Sequence, residues 1–170
     1  MATTKAILYT LDYTESKTYL WTTAFVAGNI LLPQLFHLLP QGGSIFLPIY
    51  FFTLVGAYKF GWKVGLLTAV CSPLINSALF GMPATTMLPV ILLKSVILAM
   101  AAGLAAERYG KATLPLLIGV VATYQLLGGM GEWVITGSLS AALQDICLGI
   151  PGILLQIFGS YLLINHVIKK

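Results

Sequence analysis

Long stretches of this chain run almost without a charge, and that pattern decides what its solvent must be. Six apolar blocks follow one another at 19–39, 45–58, 64–80, 87–106, 113–130 and 143–167. Only 8% of the residues are charged and 58% are hydrophobic, with a mean hydropathy of +0.93, whereas a soluble domain carries about 25% charged residues. So few charges cannot keep a surface wet, so lipid must surround most of the chain. A helix needs about 20 apolar residues to cross the bilayer core, and 170 residues hold about six such crossings with short loops. No length remains for a soluble catalytic or nucleotide-binding domain, so an ATP-driven step would fall to a partner.

A membrane β-barrel would alternate apolar and polar residues over roughly ten-residue segments. These blocks are longer and continuously apolar, which predicts an all-α bundle: one membrane domain over 1–170 with a polar N-terminal segment at 1–17. The block at 45–58 is the shortest, 14 residues or about 21 Å of helix. Lys and Arg in short loops stay on the cytoplasmic side. Lys5, Lys17, Lys59, Lys63, Arg108, Lys111, Lys169 and Lys170 all fall on one side if the chain crosses six times with both termini in the cytoplasm. Dropping the short block scrambles that partition. The net charge of +4, from nine basic and five acidic residues, is therefore topological and not a nucleic-acid-binding surface. The N-terminal segment mixes Lys5, Asp12, Glu15 and Lys17 and carries no pattern of a cleaved signal peptide. Cys71 and Cys147 sit in apolar stretches at no metal or redox spacing and read as small buried hydrophobes.

The ninth basic residue, Lys94, lies about 12 Å inside the fourth block, between Val90–Leu93 and Ser95–Leu98. A charge at that depth faces a cavity or a partner by default. Its expected partners are Glu132 and Asp145, the acids on the outer side, or a carboxylate or phosphate on a bound ligand. Gln34, His37, Asn76, Thr85, Thr86 and Gln144 gather in the outer half, Tyr124 and Gln125 lie deeper, and Trp133 reads as an interfacial or lid aromatic. Their joint position predicts a pocket open to the exterior. His37 has no second ligand at metal spacing. The spans contain no Ser/His pair, His–Glu motif or acid dyad with a base beside it, so neither an enzyme nor a cofactor is expected. Ala24 and Gly28, four residues apart, offer a close-approach face for internal packing or for a partner.

The stretch 47–103 resembles the substrate-binding (S) components of energy-coupling factor (ECF) transporters. It carries Leu47-Pro48, Gly56, the turn Gly61-Trp62-Lys63-Val64-Gly65, Ser72-Pro73-Leu74, Gly81-Met82-Pro83, Leu88-Pro89 and Gly103 in that order. The resemblance implies a subunit of the bacterial cytoplasmic membrane that binds a vitamin or its precursor at its outer face. It also implies uptake with a transmembrane coupling subunit and two ATPase subunits. Loops 41–44 and 81–86 would gate the ligand, and Ala24 and Gly28 would meet the coupling subunit. Where many relatives carry a glutamate five residues after the Leu-Pro proline, this chain has Lys94, which points toward an anionic cargo such as pantothenate. The competing expectation is a membrane scaffold or morphogenesis protein without a small-molecule pocket.

Overall fold

The computed structural model describes residues 8–168, with the side chain of Asp145 also outside the description. Lys5, Lys169 and Lys170 thus lie outside the described residues. In chain order the helices are α1 (Ser16–Phe36), α2 (Gly42–Phe46), α3 (Phe51–Phe60), α4 (Trp62–Phe80), α5 (Leu88–Tyr109), α6 (Leu114–Thr136), α7 (Leu139–Leu148) and α8 (Ile150–Val167). There is no strand among the described residues.

Four helices, α4, α5, α6 and α8, are long and apolar enough to cross a membrane. Their outward faces are as telling as their length. In α5 the most apolar window has a mean hydropathy of 2.2, yet only 39% of it is buried inside the bundle. Leu104, Ile118, Leu126, Val134, Phe158 and Leu162 all point outward. An apolar coat of this extent needs lipid against it. The chain is a multi-pass helical membrane protein.

Two expected spans are broken. The second block is divided into α2, a 3₁₀ turn at Pro48–Tyr50, and α3. Pro48 disfavours a helical residue before it, and Leu47 adopts the left-handed conformation at φ 46. The sixth block divides at Gly149, next to Pro151, into α7 and α8. Part of α8 is π-helical, around Leu155–Gly159 and Leu163–Val167.

The short α3 is the centre of the bundle. It packs on α1, α4, α5 and α8, and every residue in it except Phe52 is buried. Non-helical backbone is tolerated at membrane depth when protein encloses it, which is why this segment can be short and interrupted. Close approach comes from glycine: a Cβ on Gly65 would stand 2.2 Å from the Cβ of Ala57, and one on Gly103 2.4 Å from that of Trp62.

Proline breaks are repaired by two asparagines. Pro33 inside α1 cannot bond the carbonyl of Asn29, and the Nδ2 of Asn76 donates to that carbonyl at 2.9 Å. The Nδ2 of Asn29 donates to Thr53 and Ser72 at 3.1 and 3.2 Å, and its Oδ1 accepts the backbone N–H of Phe52 at 3.1 Å. These bonds tie α1, α3 and α4 together just beyond the Pro48 break.

One end of the bundle collects the described basic residues other than Lys94. Gly61 turns α3 directly into α4, and residues 110–113 join α5 to α6. The amides of Tyr9 and Leu11 bond the carbonyls of Lys59 and Phe60, the Tyr58 hydroxyl donates to the carbonyl of Lys111, and Asn165 near the end of α8 donates to the carbonyl of Ala112. Lys63 pairs with Asp12 at 2.6 Å. Lys59, expected in an open loop, belongs to the last turn of α3 and is wholly buried. The N-terminal segment covers it, and its ammonium sits 5.8 Å from the Tyr9 ring centre. The α3 C-terminus and the ring face both favour a cation there.

Candidate functional site

At the opposite end the helices splay around a cavity of about 440 Å³, a size in the range of small-molecule sites. Each wall traces to a local sequence event. The end of α1 beyond the Pro33 break presents Gln34 and His37. The turn into α2 supplies Gln41, Gly43 and Ser44, and the interrupted segment at Pro48 supplies Leu47, Ile49 and Tyr50. α4 contributes Asn76, and Gly81, at φ 67, ends it and swings Met82, Pro83 and Ala84 across the opening. Met87, just before α5, joins Val90 and Ile91 of that helix, α6 adds Glu132, and α7 closes the last side with Ala141, Gln144 and Leu148.

Gln34 and His37 at the end of α1 therefore meet Asn76, Glu132 and Gln144 from three other helices at one cavity. Both expected gating loops border it. Lys94, expected to meet either an outer-side acid or a ligand, meets the acid Glu132. It stands behind the wall, 1% exposed, with its Nζ 2.5 Å from Glu132 Oε2. Gly128 makes this possible, since a Cβ there would lie 2.6 Å from Lys94 Cγ. The cavity meets the carboxylate of the pair, and the ammonium is its support.

Tyr124 is also a support. It is fully buried, its hydroxyl donates to Gln156 Oε1 at 2.9 Å, and its ring lies 5.4 Å from that of the lining residue Tyr50. Gln125 is buried on the same helix, its Nε2 without a hydrogen bond, and does not line the cavity. Thr85 and Thr86 are exposed beside the mouth but outside its lining, and Trp133 is half exposed next to Glu132. The Asp145 side chain lies outside the described residues. On α1, Ala24 is exposed, whereas Gly28 packs internally: a Cβ on it would stand 2.7 Å from the Phe52 ring. The outward stripe is Leu20, Thr23, Ala24, Ala27 and Leu31. Cys71 is half-buried and Cys147 exposed, each a free thiol.

Asn29 and Tyr50 escaped the sequence reading. Asn29 carried a usable signal: an amide at mid-span needs buried hydrogen-bond partners, and it finds them on α3 and α4. Tyr50 carried none, because its role depends on the α2–α3 interruption. Among the described residues no three His, Cys, Asp or Glu side chains gather as a metal site would require. Comparison with protein-family models, curated proteins and solved structures finds no match to the chain. Fold and cavity define it as a multi-pass helical membrane protein with a cavity at one end.

Proposed function

We propose that this chain is the substrate-binding subunit of an ECF-type uptake system in the bacterial cytoplasmic membrane. In this reading α1 and the interrupted α2–α3 segment also cross the bilayer, giving six crossings with both termini in the cytoplasm. The basic end faces inward, following the retention of Lys and Arg on the cytoplasmic side, and the cavity opens outward. A vitamin or related micronutrient enters through the loops at 41–44 and 81–86. The protein performs no chemistry of its own. A transmembrane coupling subunit and two ATPases supply the work.

The observation that carries the reading is the cavity's position: a space of about 440 Å³ at the end opposite Lys59, Lys63, Arg108 and Lys111, ringed by polar side chains from distant parts of the chain. A scaffold protein has no need of it. The test is mass spectrometry of small molecules released from the purified protein, comparing wild type with Ala84→Trp. Ala84 is an exposed lining residue, so the bulky ring fills the mouth without disturbing packing. One metabolite present at near-stoichiometric level in wild type and missing from the variant is expected. Absence of a bound metabolite, together with unaltered solute uptake by Ala84→Trp cells, would contradict the proposal.

A further inference from the structure

We infer that the cavity, on the reading of it as a solute site, selects a molecule presenting hydrogen-bond donors, such as an amide or amidine edge, and disfavours a carboxylate. The argument starts at Asn76, which lines the cavity and is 1% exposed. Its Nδ2 donates to two backbone carbonyls, those of Asn29 at 2.9 Å and Ser72 at 3.1 Å. Rotating the amide would point its oxygen at both carbonyls, so these bonds fix which atom is which. The atom left over is Oδ1, an acceptor, and it has no hydrogen-bond partner. A buried acceptor without a donor costs about 1–3 kcal/mol; Oδ1 is closed to water in this structure, so a ligand donor reaches it, and removes that cost, only with a small shift of the wall.

Glu132 points to the same polarity. An ionised carboxylate only accepts hydrogen bonds. One of its oxygens, Oε2, is held by Lys94, and Glu132 itself forms part of the cavity wall while Lys94 does not. No Lys or Arg lines the cavity among the described residues. An incoming carboxylate would meet like charge first. Gln34, Gln41 and Gln144 can present either polarity and follow the ligand. The buried groups cannot turn, and they set the preference. An anionic cargo, the expectation drawn from Lys94 alone, is thereby disfavoured.

The test uses the purified full-length protein in detergent micelles with benzamidine, benzamide and benzoate, probes with one ring in common and different polar edges. Isothermal calorimetry should show benzamidine and benzamide binding at least tenfold more tightly than benzoate. Ala84→Trp should abolish the binding. In the charge-balanced double variant Lys94→Met/Glu132→Gln, the advantage of benzamidine over benzoate should shrink at least fivefold. Benzoate binding as well as or better than benzamidine, in a manner that Ala84→Trp blocks, overturns the donor preference and leaves the solute site standing. If no probe binds and no small molecule co-purifies, the solute site falls and this inference falls with it.

Discussion

Replacing Lys94 with methionine should injure the fold, and the size of the injury follows from its surroundings. The ammonium and the Glu132 carboxylate are 2.5 Å apart with side chains 1% and 6% exposed. Methionine fills the space left by the lysine stem beside Gly128 but leaves the carboxylate buried without its counter-charge. Breaking a buried ion pair in this way costs about 3–5 kcal/mol, two to three and a half decades in the folded-to-unfolded ratio. Removing both charges together in Lys94→Met/Glu132→Gln takes away this ion pair as a unit and should recover most of that loss. Chemical unfolding in detergent micelles, followed by tryptophan fluorescence, reads all three proteins. A single variant within about 1 kcal/mol of wild type would refute the buried-pair argument. So would a double variant as unstable as the single one.

Gly65→Ala should destabilise by about 1–3 kcal/mol through overpacking, because the new methyl meets the Ala57 Cβ at 2.2 Å and its Cα at 2.7 Å; the same unfolding assay measures it. On α1, Ala24→Trp should leave solute binding intact and block uptake if the exposed stripe docks the coupling subunit, whereas Gly28→Leu should lower stability by driving into the Phe52 ring. Lys63 holds the Asp12 carboxyl below the usual carboxylate range. A depressed acid stabilises above its ordinary value and loses that contribution as pH falls through the lowered one. The N-terminal segment should therefore stay protected from protease at neutral pH and loosen in acid, and Asp12→Asn should loosen it at both.

The sequence dictates much of this architecture through its solvent. Continuous apolar runs predict α4, α5 and α6 to within a few residues at most of their boundaries, with Gly81, Gly110 and Gly137 ending them in left-handed conformations. Composition carries less information at the interruptions. Residues 45–58 and 143–167 read as single runs because apolar content does not register a backbone break. Pro48 and Pro151 were the local signs, and tertiary enclosure decided that the chain would yield there. The site was legible as a set of outer polar residues and not as a geometry. Nothing in the order Lys94 to Glu132 says which of the two faces the cavity. That depends on Gly128 making room for the lysine stem on one side, a packing fact with no periodicity to announce it.

The central claim is that the cavity faces the exterior and the basic end the cytoplasm. Cysteine labelling in intact cells with a membrane-impermeant maleimide tests it most directly, in a chain whose Cys71 and Cys147 are replaced by serine. Ser44→Cys, exposed at the cavity mouth, should react in intact cells. Lys111→Cys, exposed at the opposite end, should react only after the membrane is opened. Labelling of both from outside, or of Lys111→Cys alone, would contradict the account.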